Sequence, residues 1–174
     1  MLTHNRQDSD RSLGDRPFRS KQKPPAMSWV ISKKLAVGAA PTLQTLPELA
    51  KHGIQVLVSL CAETEARLPD EVQQHFECVR LVLPDSHCAE QLTPDQLAKA
   101  VALLHHPIAN QRTVFVHCLA GIERSPTVCI AYLCQHHQFE LWEATKWLKQ
   151  VHPRSMPTNA QMQVLREYVE EYSS

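Results

Sequence analysis

Four short runs rich in β-branched and apolar residues, LAVGAA (35–40), IQVLVSL (54–60), ECVRLVL (77–83) and RTVFVHC (112–118), recur along the chain with helix-like stretches between them. The spacing predicts helices over 43–52, over 63–75 with a break near Pro69, and over 94–106, where Thr93 can cap and Pro94 falls in the first turn. Three more helices are expected at about 125–137, 140–151 and 158–172, the last opened by Thr158 or Asn159 as its cap. Strands that alternate with helices must be joined by crossovers, and the helices then cover the sheet. The expected architecture is therefore α/β: a single domain with a mostly parallel central sheet flanked by helices on both faces. A chain of 174 residues suffices for one such domain.

Residues 1–26 stand apart from this pattern. The first 25 hold only four apolar side chains, Met1, Leu2, Leu13 and Phe18, among six basic and three acidic residues, serines and prolines. Such a composition cannot bury enough apolar surface to fold, so a disordered tail is expected ahead of a folded domain over 27–174. Across the whole chain 18 Lys plus Arg balance 18 Asp plus Glu, and no global field points to nucleic acid or an anionic membrane as the partner. No stretch reaches the roughly 18 apolar residues of a spanning helix, which makes a cytoplasmic protein the expectation. Six cysteines, at 61, 78, 88, 118, 129 and 134, include no Cys-x-x-Cys pair, which argues against a disulfide framework or a zinc knuckle.

Ligands of parallel sheets bind beyond the carboxyl ends of the strands, and VHCLAGIERSPT (116–127) lies at such an end. Between the strand TVFV and a helix beginning near Arg124 the chain must turn sharply, and Gly121 is free to take positive φ. If Leu119, Ala120, Gly121, Ile122 and Glu123 curl with their N–H groups inward, they form an anion nest sized for a phosphate, reinforced by the positive end of the following helix. Arg124 is then placed to grip two phosphate oxygens at once with its planar guanidinium. Amides and a cation around a sulfur favour the thiolate, the nucleophilic form. Cys118 could thus attack a bound phosphorus in line, and Ser125 could donate its hydroxyl to the departing sulfur afterwards. His117 could hold the loop by hydrogen bonds or simply pack at the strand end.

HCLAGIERS resembles the His-Cys-x5-Arg-Ser signature of the cysteine-dependent phosphatases, and specifically of their dual-specificity branch. The likeness extends to the Ser-x-Thr that starts at Ser125, to LAVGAAP and GIQVLVSL as the early strands, and to AYLCQHHQFELWEATKWLKQVHPRSMPTNAQMQVLREY as the C-terminal helices. It covers roughly residues 28–172, and SWVISKKLAVGAAP is similar to the small atypical members. The resemblance implies a phosphatase of phosphotyrosine, and of phosphoserine or phosphothreonine, in phosphorylated proteins, working through a phosphocysteine intermediate without metal or cofactor.

Such chemistry needs a general acid for the leaving oxygen. LVLPDSHCAEQLTPDQ offers Asp85, Asp95 and Glu90. Asp95 falls in the first turn of a helix, where an acid suits the dipole without any chemical role. Asp85 follows a strand and Pro84, 33 positions before Cys118, and matches the place of the family's acid on its mobile loop. The same carboxylate would accept a proton from water in the second step.

Glu123 departs from the small residue common in the family before the arginine; it is expected to point to solvent with only its amide used, since facing the pocket its charge would oppose phosphate. The loop also lacks the lysines that phosphoinositide phosphatases of the superfamily place there, which weakens a lipid substrate. Two alternatives stay open: a phosphatase of a non-protein substrate (phosphoinositide, sugar phosphate or RNA 5′ end), or a phospho-ligand-binding module without turnover. Cys61 and Cys88 could serve as resolving thiols or as ordinary small residues. The His pairs 105–106 and 136–137 suit helix ends, with no convincing metal-ligand set. Trp142 and Trp147 suggest core or partner-facing packing, and Asn159 either braces the active-site loops or caps the last helix.

Overall fold

The computed structural model describes residues 27–172; the expected tail, 1–26, lies outside the described residues. Eleven elements follow one another: β1 (Met27–Ile31), β2 (Leu35–Ala39), α1 (Leu46–Lys51), β3 (Val56–Ser59), α2 (Asp70–His75), β4 (Glu77–Arg80), α3 (Pro94–Ala109), β5 (Val114–Cys118), α4 (Arg124–His137), α5 (Leu141–Val151) and α6 (Asn159–Tyr172). The sheet order is β1-β2-β5-β3-β4, parallel throughout except for the antiparallel β1–β2 hairpin at one edge. Each expected strand is present, shortened to its fully paired part. The strand β1 was not expected: its MSWVI alternates too little to announce itself, and it pairs only because the chain reverses at 32–34.

Alternation along β5 divides the interior. Val114 and Val116 face a large core built with α3 to α6, while Phe115 faces a smaller one with Leu49 of α1 and Val72 of α2. Both faces of the sheet are therefore covered, which is why β2, β3 and β5 are almost wholly buried. At about 25 cal/mol per Å² of apolar surface, burial of this kind is the main term holding the sheet centre, and β5, paired on both sides, is its middle strand.

Two expected helices are shorter than their pattern. Residues 43–45 form a turn before α1, closed by the Thr45 hydroxyl, which accepts from the Thr42 amide at 2.9 Å and donates to the Thr42 carbonyl at 3.0 Å. Residues 63–69 are not helical: the Glu65 carboxylate accepts from the Ala62 amide at 2.8 Å, closing a local turn, and Pro69 starts the short α2. α3 carries the expected cap, a reciprocal box between Thr93 and Gln96. α6 is capped by Thr158, whose hydroxyl accepts from the Gln161 amide at 3.2 Å while Gln161 Oε1 accepts from the Thr158 amide at 2.8 Å. Asn159 is exposed at its first position. Among the described residues no helix is long and apolar enough to cross a membrane.

Candidate active site

Cys118 ends the central strand, beside Ala39 at the end of β2, and the next six residues bend round to Arg124 at the start of α4. The turn depends on Gly121 twice. Its φ of +68° belongs to the left-handed region, and a Cβ there would lie 2.5 Å from the Gly38 carbonyl carbon, so no side chain fits between the loop and β2. The loop carbonyls are held from outside: Leu119 O by the Ala40 amide at 3.2 Å, Gly121 O by His152 Nε2 at 2.7 Å, Ile122 O by the Met156 amide at 2.7 Å, and Glu123 O by the Thr127 amide and hydroxyl at 3.0 and 2.8 Å. Within a planar peptide the carbonyl and the following N–H point opposite ways. Outward carbonyls at 119, 121, 122 and 123 therefore turn the amides of Ala120, Ile122, Glu123 and Arg124 inward, the nest that an oxyanion needs.

Cys118 lies at the floor of a cleft of about 290 Å³ lined by Glu65, Asp85, Ser86, His87 and the loop residues 119, 120 and 122–124. Ser125 Oγ donates to Cys118 Sγ at 3.3 Å, so the hydroxyl is placed to stabilise charge on that sulfur. Arg124 is only 2% exposed. A cation so buried needs full pairing. Its Nη1 donates to the carbonyls of Leu60 and Leu83 at 3.4 and 3.3 Å and to Glu65 Oε2 at 3.2 Å, and Nη2 meets Glu65 Oε1 at 2.9 Å and Asp85 Oδ2 at 3.0 Å. Leu60 and Leu83 follow β3 and β4, so the sheet itself aims the guanidinium. The Arg124 hydrogen bonds hold the Glu65 carboxyl below the usual carboxylate range, keeping it a counter-ion.

Of the three acid candidates, only Asp85 lines this cleft. Asp95 accepts from the Tyr172 hydroxyl at 2.6 Å at the start of α3, and Glu90 from Gln96 Nε2 at 3.1 Å. Asp85 sits on the segment between β4 and α3, its Oδ1 accepting from the His87 amide at 3.1 Å.

His117, expected either to hold the loop by hydrogen bonds or to pack at the strand end, has surroundings that are mostly those of packing. Strand alternation turns it to the face of Phe115, on which it stacks at 5.9 Å; Nδ1 reaches only the neighbouring Cys118 carbonyl at 3.4 Å, and Nε2 has no partner. Burial pushes its pKa down to about 4, leaving a neutral ring. Glu123, expected to point to solvent with only its amide used, is half-buried, its carbonyl held by Thr127, and the residue lines the cleft.

The sequence reading missed Glu65 and His152. Glu65 was placed inside a helix among several acids, with nothing to separate it from Glu63 or Asp70. His152 stood at a helix end like four other histidines, 105, 106, 136 and 137, and only the tertiary contact distinguishes it. The other flagged residues have structural surroundings. Cys61 is buried after β3 and its thiol is pushed up to about 12 by burial, whereas Cys88 is exposed and lines an adjoining cleft with Asp85. His105 stacks on His136 at 3.8 Å, and no group of three or more His, Cys, Asp or Glu side chains among the described residues could hold a metal ion. Trp147 Nε1 donates to the Val30 carbonyl at 3.0 Å, while Trp142 is 64% exposed.

Comparison with known proteins agrees with this geometry. The dual specificity phosphatase catalytic domain family matches residues 35–171. Dual specificity protein phosphatase 14 of Mus musculus is 31% identical over 128 residues, 73% of this chain and 61% of that protein. Phosphatidylglycerophosphate phosphatase PTPMT2 of Arabidopsis thaliana is 28% identical over 138 residues, 79% of this chain and 60% of that protein. The chain thus spans about three fifths of these two relatives. In fold it is similar to Tk-PTP in its active form, with a TM-score of 0.75, 24% identity and coverage of 86% of this chain and 99% of that one. It is equally similar to PTPMT1 in complex with PI(5)P, at a TM-score of 0.74, 24% identity and coverage of 84% and 96%. With a Cys118–Arg124 loop at the end of the central strand and a family match over most of its length, the chain belongs to the dual specificity phosphatase catalytic domain family.

Proposed function

We propose that this protein is a phosphatase of phosphorylated proteins, acting on phosphotyrosine and on phosphoserine or phosphothreonine. The observation that carries the reading is that Cys118, Ser125, Arg124 and Asp85 meet around one phosphate-sized loop. The Cys118 thiolate attacks phosphorus and the bond to the ester oxygen breaks, while Asp85 gives that oxygen a proton. Water then attacks the phosphocysteine; Asp85 takes its proton, the Ser125 hydroxyl eases departure of the sulfur, and inorganic phosphate leaves. Phosphate oxygens on Arg124 compete with Asp85 for Nη2, so binding releases the carboxylate toward the leaving group.

A protein substrate is favoured by the charges of the cleft. Glu65 and Asp85 pair with Arg124, Glu123 lines the same cleft, the loop contains no lysine, and a headgroup carrying a second phosphate would meet carboxylates. The second reading, a phospholipid headgroup, is favoured by the relatives named phosphatidylglycerophosphate phosphatases and by Leu119, 50% exposed on the cleft wall. A panel of p-nitrophenyl phosphate, phosphotyrosine and phosphothreonine peptides, and vesicles containing phosphatidylglycerophosphate or a phosphoinositide, with chelator present, separates these readings when the unmutated protein is run beside Cys118→Ser. Peptides with the highest kcat/KM are expected. A lipid preferred by about tenfold or more overturns the protein reading, and phosphate binding without any turnover overturns the enzyme.

A further inference from the structure

We propose that His152 is a positioning residue of the phosphate loop, setting the Gly121–Ile122 peptide by donating its Nε2–H to the Gly121 carbonyl while Nδ1 accepts from the Ser28 hydroxyl. A carbonyl can only accept, so the 2.7 Å contact requires the proton on Nε2. The neutral ring then offers Nδ1 as an acceptor, and Ser28 Oγ lies 3.0 Å from it. Both ring nitrogens are committed and one tautomer is selected.

Four features make this contact different from ordinary packing. Gly121 carries no side chain of its own and sits at positive φ against β2, so its peptide takes its direction from neighbours. The carbonyls of Leu119, Ile122 and Glu123 are each held by a backbone amide, which any residue but proline supplies, with the Thr127 hydroxyl added at Glu123, whereas the donor to Gly121 O is a side chain alone. The His152 backbone is itself anchored, its amide to Leu148 O at 2.8 Å and its carbonyl to the Ser155 amide at 2.9 Å. Burial and the nearby charges of Arg154 and Lys149 hold its pKa below the usual value, against the Gly121 bond, which favours the neutral donor state used here. Turning the Gly121 carbonyl outward turns the Ile122 amide toward the phosphate site.

The turnover part of the test rests on the phosphatase reading; the binding part does not. Inorganic phosphate affinity is measured by calorimetry on folded protein, and as competitive inhibition of p-nitrophenyl phosphate hydrolysis. His152→Leu is expected to keep its circular dichroism spectrum and to bind phosphate about tenfold more weakly, with kcat/KM falling in parallel. His152→Gln, whose amide can donate to the same carbonyl, is expected within about threefold of the unmutated protein. Unchanged phosphate affinity in folded His152→Leu overturns the proposal. If that variant does not fold, the histidine ¹⁵N shifts of the unmutated protein decide: a pyrrole-type Nε2 with a pyridine-type Nδ1 near neutral pH upholds the assignment, and the opposite tautomer overturns it. An unmutated protein that binds phosphate but leaves p-nitrophenyl phosphate intact would sink the phosphatase reading alone, and the affinity comparison would still judge His152.

Discussion

The phosphate loop and the segment that carries Asp85 flank the same cleft yet are held in opposite ways. The loop is braced from behind by β2, α4 and the α5–α6 connection, with Gly121 wedged against Gly38 and Arg124 wholly inside the protein. Residues 86–91 are exposed, and Asp85 is tethered by the His87 and Cys88 amides and the ion pair with Arg124. Binding an oxyanion gains from amides that need no reorganisation, whereas a proton donor has to reach a leaving group and then a water. On the proposed mechanism, the contrast teaches that charge recognition is built into the fold and proton delivery is left to the surface.

The strongest challenge to that contrast is Cys118→Ser. Turnover should fall by roughly 10⁴-fold or more, while phosphate still binds, since the amides and Arg124 remain; a steady-state assay beside calorimetry checks both halves. Asp85→Ala should lower kcat by about 10²- to 10³-fold and leave phosphate affinity equal or higher, because a carboxylate that competes for Arg124 has gone. An unchanged kcat would remove Asp85 from the acid role. Gly121→Ala attacks the braced side: positive φ and the contact with Gly38 together should cost about 2 kcal/mol of stability, read as a lowered thermal midpoint, with phosphate affinity reduced as well. Glu65→Gln is the mildest. It keeps the shape but takes one charge from the pairing of Arg124, and kcat/KM should fall about threefold to tenfold, chiefly through KM.

Much of the scaffold was legible because its signals are local. The runs around 56–59, 77–80 and 114–118 are apolar enough to be buried on both faces or paired at a sheet, and the capping residues Thr93 and Thr158 mark helix starts that formed as expected. The stretch 63–69 failed because Glu65 closes a turn with Ala62 while gripping Arg124, 59 residues away, and helix propensity cannot register such a contact. β1 escaped for a similar reason, since an edge strand is defined by its partner. For His117, left open between bracing and packing, alternation along β5 favours packing, and it is His152, from the other side of the loop, that bonds the Gly121 carbonyl.

What the amino-acid sequence determined alone is the set of groups whose spacing is itself the chemistry: a cysteine, a glycine that can turn, an arginine six residues on and a serine beside it, at the end of a strand. Their separations are short enough for one loop to bring them together whatever surrounds it. The tertiary structure alone decided which of several acids faces Arg124, which histidine holds the Gly121 carbonyl, and that Glu123 joins the cleft wall. Those choices depend on segments distant in the chain meeting across the sheet, and the energy that selects them, the pairing of a buried cation and of buried carbonyls, exists only once the core has closed around them.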